Sequence, residues 1–168
     1  QFGDPSLLEH LLEALRSKPY GEELLRSVLF IEQPLPRDMA LDRRRSGDIR
    51  RLTELKPIII DESDDSLDAF ERAIGLGYRG VSHKNSKGVL KSLCNRALVV
   101  RLNKEAGKSL CFQTGEDLVT LPVIPLQEDL ATLAALGVEH VERNGHHYFH
   151  GLDHLTPVER DSVLARHP

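Results

Sequence analysis

Residues 57–84, PIIIDESDDSLDAFERAIGLGYRGVSHK, hold one complete strand–helix–strand unit. Pro57 to Ile60 is a short apolar run without alternation. That is the pattern of a strand buried on both faces, as in a parallel sheet. It runs directly into Asp61, Glu62 and Ser63. Ser66 to Ile74 then reads as a helix with Leu67, Phe70 and Ile74 on one face, and Gly75 or Gly77 ends it. Gly80 to His83 is a second strand, and it leads into Lys84. Two strands joined through a helix in so short a span imply a right-handed crossover and parallel pairing.

The same unit recurs on both sides. Asp4 and Pro5 suit the cap and first position of a helix that carries Leu7, Leu8, Leu11, Leu12 and Leu15. Pro19 stops it, and a second helical piece covers Glu22 to Arg26. Val28 to Ile31 reads as a strand that ends at Glu32-Gln33-Pro34. Leu35 to Gly47 is a polar loop, and Asp48 to Leu55 a short helix. Beyond Lys84 come a helix from Gly88 to Glu105, a strand over Ser109 to Phe112, a helix from Pro125 to Leu136 and a last strand over Val138 to Glu142. A short helix is expected near Val158 to Ala165. Five strands thus alternate with helices at a repeat of about 25–30 residues, the size of one barrel unit. A complete eight-unit barrel takes about 250 residues, and the chain has 168. The fold class is therefore α/β, with residues 1–168 as a single domain: an open doubly wound sheet or part of a (β/α) barrel. The G-x-G-x-x-G spacing at Gly75–Gly80 follows a helix and not a strand, so the dinucleotide-binding fingerprint, which follows a strand and opens a helix, is absent.

The formal net charge is −4, from 26 acidic and 22 basic side chains. That balance argues against a nucleic-acid partner, and Arg43-Arg44-Arg45 reads as a solvated loop or a phosphate contact. Cys94 and Cys111 lie outside any C-x-x-C motif. Reduced, buried thiols are expected, and with them a cytoplasmic enzyme. No run of about 18 apolar residues exists, so no membrane span is expected.

In parallel α/β folds the working residues sit at the C-terminal ends of strands. Taken in chain order these are Glu32, Asp61, Lys84, then Gln113 or Glu116, then Glu142 to His147. Carboxylates at Glu32 and Asp61 suit Mg²⁺, a hard cation that prefers oxygen ligands. A lysine beside such a cation has its pKa lowered and becomes a general base near neutral pH, which is the role expected of Lys84. Ser63 to Asp65 cap the next helix more naturally than Asp61 does, which leaves Asp61 for the metal. Glu62 fits a supporting role, and Lys87 a structural or phosphate-facing one. His83 is expected to point away from the barrel interior, because neighbours on a strand face opposite sides. Gln113, Glu116, Glu142, Asn144, His146 and His147 are the candidate substrate-binding residues, with His146 or His147 as a second acid. The spacing of His146, His150 and His154 would suit zinc on a helix, but Gly145 and Gly151 favour a loop.

Three short motifs carry a resemblance. Phe30-Ile31-Glu32-Gln33-Pro34 resembles the fourth-strand motif of the mandelate racemase and muconate lactonizing enzyme group of the enolase superfamily. Asp61-Glu62-Ser63, after its isoleucine run, resembles the fifth-strand motif. Lys84-Asn85-Ser86-Lys87-Gly88 is similar to the sixth-strand pattern, a lysine followed three places on by a second lysine and a glycine. The resemblance covers essentially the whole chain and implies the C-terminal part, about strands four to eight, of a (β/α) barrel. It implies Mg²⁺ on Glu32 and Asp61, and Lys84 removing the proton alpha to a substrate carboxylate through an enediolate. The reaction would be of racemase, epimerase, dehydratase or cycloisomerase type. The substrate would be a small carboxylate, a sugar acid being one plausible class.

The chain also departs from that pattern. The first of the family's three carboxylate ligands lies on the third strand and would fall before Gln1. The second-strand lysines and the N-terminal capping domain have no counterpart, and the sixth-strand glycine pair is reduced to Gly88-Val89. An N-terminal segment or companion chain is expected to complete the barrel, and the fragment alone to be inactive; a homo-oligomer is compatible with the same reading. Two further readings stay open: a Schiff-base aldolase barrel using Lys84 without a metal, and a non-catalytic barrel scaffold.

Overall fold

Five short parallel strands lie side by side in chain order. They are β1 (Ile31–Glu32), β2 (Ile58–Ile60), β3 (Gly80–His83), β4 (Phe112–Glu116) and β5 (Val141–Glu142). The computed structural model describes residues 1–116, 121–143, 148 and 150–166. The sheet curls into a half-barrel with helices on its outer side. Those helices are α1 (Pro5–Arg16), α2 (Gly21–Ser27), α3 (Arg37–Ala40), α4 (Ile49–Leu55), α5 (Ala69–Leu76), α6 (Val89–Ala106), α7 (Ile124–Leu136) and α8 (Pro157–Arg166). Sequential neighbours joined through helices are what repeated strand–helix–strand units produce. Among the described residues, none forms a helix long and apolar enough to cross a membrane. Cys94 and Cys111 are free thiols; Cys111 is buried as expected, but Cys94 is exposed on α6.

Strand alternation gives the sheet two distinct faces. Ile58, Ile60, Val81 and Cys111 point outward and join Leu8, Leu12, Leu52, Phe70 and Val99 in the helix-covered core. Burying each such side chain contributes about 1.5–3 kcal/mol. Tyr78 packs there too and donates its hydroxyl to Ala40 O at 2.9 Å. The intervening residues point to the concave side. Gly80 is one of them, and it has no room for a side chain. A Cβ there would lie 2.7 Å from Ile59 Cγ2 and 2.8 Å from Phe112 O, so glycine lets β2 and β4 close over β3. Gly77 ends α5 at φ 116°, with the backbone of Arg50 where a Cβ would go.

The elements differ from the sequence expectation mainly in register. The first strand pairs at Ile31–Glu32 and not over Val28 to Ile31, because Val28 is the C-cap of α2. The fourth begins at Phe112, three residues later than expected. Asn103 explains this: its side chain accepts from the N–H groups of Leu110 and Cys111 and donates to Cys111 O. Those groups are satisfied outside the ladder. The loop over Leu35 to Gly47 contains the short helix α3.

Candidate metal centre

Glu32 ends β1, Asp61 follows β2, Lys84 follows β3 and Glu116 ends β4. Neighbouring parallel strands therefore bring four ionisable groups to one rim of the sheet. Ligand oxygens of Glu32, Asp61 and Glu116 lie within 4.8 Å of one another. Lys84 Nζ stands 2.7 Å from Asp61 Oδ2 and 2.7 Å from Glu116 Oε2. Lys87, on the turn after β3, donates to Asp61 Oδ1 at 2.6 Å, to Asp61 O at 2.7 Å and to Ser82 O at 2.9 Å.

A glutamine fixes the frame. Gln33 is buried, and its Oε1 accepts from the backbone N–H of Asp61 at 2.8 Å and of Ser63 at 3.2 Å. Its Nε2 donates to Leu35 O at 2.8 Å and Ser63 Oγ at 2.7 Å. The amide's hydrogen-bonding capacity is thus fully used: three bonds tie the loop after β1 to the loop after β2, and the fourth braces its own loop. Its backbone sits at φ 37°, an uncommon conformation for a residue with a side chain. Such strain persists where surrounding bonds over-determine it, and here it lies beside Glu32.

The electrostatics show an excess of acid. Burial, then the negative charges of Asp61 and Glu116, push the Glu32 carboxyl from 4.5 up to about 7; a Ser82 hydrogen bond and Lys84 oppose the rise. Burial works to lower Lys84, but its hydrogen bonds and attraction to Asp61 and Glu116 outweigh it and hold the ammonium above its ordinary pKa. Lys87 goes the other way, because burial, with repulsion from Lys84, exceeds the help from Asp61. Three carboxylates in an all-oxygen set fit a metal ion of the hard class, and a divalent charge would relieve the repulsion recorded at Glu32.

The other expected residues fall in different places. Gln113 does not face the concave site: its Nε2 donates to Ser92 O, so its side chain enters the helix layer. The cause is parity, since Phe112, Thr114 and Glu116 take the concave positions. Glu116, expected as a substrate contact, stands in the acidic triad. Glu142 is exposed at the end of β5, in register with Glu116, and lines a cleft of about 400 Å³ with Phe30, Glu32 and Thr114. His83 faces α6, where its ring meets Ser92 and Asn85. Glu62 is half-buried and outside the triad. Asn144, His146 and His147 lie outside the described residues.

Gln33 lies in the Phe30–Pro34 motif, and nothing in that motif shows its part as a clamp. Glu116 as a metal-site acid was legible from alternation back to Phe112, once the strand is extended through its polar half. No family model, curated protein or solved structure matches the chain.

Proposed function

We propose that the chain is the C-terminal part of an enolase-type (β/α) barrel that removes the proton alpha to the carboxylate of a small substrate. In this reading Mg²⁺ is held by Glu32, Asp61 and Glu116, and Lys84 is the base. One observation carries it: three carboxylates from three strand ends converge within 4.8 Å, and a lysine bonds two of them. When bound, the cation supplies electrostatic stabilisation of negative charge developing on the substrate carboxylate. Everything else is work for the chain's own residues.

Ionised, the triad carries three negative charges, against two positive ones on Lys84 and Lys87. With a divalent cation held there, this net −1 would become +1, and loss of the Lys84 proton would bring it to neutrality. Lys84 stays charged while Asp61 and Glu116 face it. Once those carboxylates serve a cation, its burial and the added positive charge both favour the neutral amine. That amine is placed to take a proton from a substrate at the rim. Lys87 remains as the counter-charge on Asp61 Oδ1, and Ser82 as the hydrogen bond on Glu32. The two ion pairs of Lys84 weigh against imine chemistry, which needs a neutral amine without help from a cation.

β1 and β5 each pair on one side only among the described residues. A second set of strands, from an N-terminal segment or a companion chain, is the partner this reading calls for. The test is proton exchange in D₂O. The natively purified protein is incubated with Mg²⁺ and a panel of small carboxylates, and NMR follows deuterium at the alpha carbon. Exchange should stop with EDTA and fall at least about a hundredfold in Lys84→Ala. Exchange that survives EDTA, with borohydride trapping at Lys84, contradicts the reading.

A further inference from the structure

Beside the acidic triad the concave face carries further polar side chains. Thr114 is one of them, because Gln113 bonds into the helix layer and Gly115 packs against Leu133. It pairs in register with Ser82 of β3. Both residues are almost wholly buried, Thr114 at 2% exposure and Ser82 at 1%. Their hydroxyls differ. Ser82 hydrogen-bonds Glu32, whereas Thr114 Oγ1 has no partner among the described residues. A buried hydroxyl left unpaired is costly, and native interiors keep few of them. Valine would fill the same space without that cost. The unpaired oxygen belongs to a residue that lines, with Glu32 and Glu142, the cleft of about 400 Å³ beside the triad. The carboxylates there only accept hydrogen bonds when ionised. A hydroxyl both donates and accepts, so Thr114 is the uncharged group suited to a ligand atom of either kind.

We propose that Thr114 Oγ1 is a ligand-contacting hydroxyl of the metal centre, hydrogen-bonded to a polar atom of whatever the triad holds. With a hydrated cation alone, that atom is a water. The inference rests on the metal reading above and assigns a residue that none of the three strand-end motifs contains. It makes a two-sided demand. In the metal-free protein the hydroxyl is an unsatisfied polar atom, so removing it costs the fold nothing. In the loaded protein it makes a contact, so removing it weakens binding.

The test uses Thr114→Val and Thr114→Ser. Thermal unfolding is followed in EDTA, and Mn²⁺ binding by the loss of the free-ion EPR signal. Thr114→Val should unfold at the wild-type temperature or above it, and should bind Mn²⁺ about three- to tenfold more weakly, the worth of one hydrogen bond. Thr114→Ser should restore wild-type affinity. A clear drop in unfolding temperature for Thr114→Val overturns the proposal, because the hydroxyl then serves the fold. Unchanged Mn²⁺ affinity overturns it too. Glu32→Gln separates this failure from that of the parent reading. If Glu32→Gln weakens Mn²⁺ binding and Thr114→Val does not, only the Thr114 assignment falls. If Glu32→Gln has no effect either, the metal reading falls with it.

Discussion

Two buried lysine–aspartate pairs lie on opposite sides of the same sheet. On the helix side, Lys91 stands 3.2 Å from Asp64 Oδ2 and also donates to Asp64 O, while Asn95 Nδ2 donates to Asp64 Oδ2 at 3.3 Å. On the concave side, Lys84 and Lys87 both bond Asp61, and Lys84 bonds Glu116 as well. The ingredients are alike and the bookkeeping is not. The Lys91 pair is balanced, one acid to one base, with an amide completing it. The rim has three acids to two bases, a glutamate held protonated up to about pH 7, and a glutamine in a left-handed conformation beside it. A salt bridge alone therefore says little about function. An unbalanced set held by strained backbone says more, because a fold selected for stability alone would relieve it.

Breaking the balanced pair should have the largest effect on stability. Lys91→Met strands the Asp64 carboxylate in the helix layer and should cost about 3–5 kcal/mol in urea unfolding. Asp64 N donates to Asp61 O at 2.9 Å, so the two clusters touch through backbone. Even so, Mn²⁺ affinity of the folded fraction should stay near wild type. A large loss of affinity with little loss of stability would reverse the roles assigned to the two sides.

Gln33→Leu comes next. It removes the acceptor of two backbone N–H groups and the link between the loops beside Glu32 and Asp61. Supporting partners of this kind change metal affinity about 10–100-fold. Titration calorimetry should show a loss in that range, with destabilisation of about 1–3 kcal/mol from the unpaired N–H groups.

The smallest effect is the pH dependence of the metal-free protein. Glu32 has a folded-state value raised from 4.5 to about 7. Between those values the folded chain binds a proton that the unfolded chain has released. Stability in EDTA should therefore fall as pH rises from 4.5 through about 7, and level off above. Urea midpoints measured across that range should show the fall, and Glu32→Gln should flatten it. A midpoint that climbs over the same range in wild type and variant alike would contradict the assignment.

The parallel α/β fold was legible because apolar runs such as Ile58–Ile60, followed by a helix and Gly80–His83, leave few alternatives. Asp61 and Lys84 were legible for the same reason: each directly follows a strand with a clear apolar signal. Glu116 was not placed with Glu32 and Asp61 because β4 is Phe112-Gln113-Thr114-Gly115-Glu116, mostly polar. Its hydrophobic signal lies in Leu110 and Cys111, whose backbone groups are met by the Asn103 side chain. Reading the apolar run as the strand put its end too early and left Gln113 as an alternative to Glu116. The Gln33 clamp was hidden for a different reason. Three of its four bonds join loops about one barrel unit apart, and nothing in residues 30–34 alone reveals their partner.

The most direct measurement is Mn²⁺ titration of wild type and Glu116→Gln, read by EPR at neutral pH. A cation held by Glu32, Asp61 and Glu116 requires one saturable site per chain in the wild type and a weakening of more than about a hundredfold in Glu116→Gln, beyond what loss of a supporting residue causes. No saturable site in the wild type, or equal binding by both proteins, would contradict it.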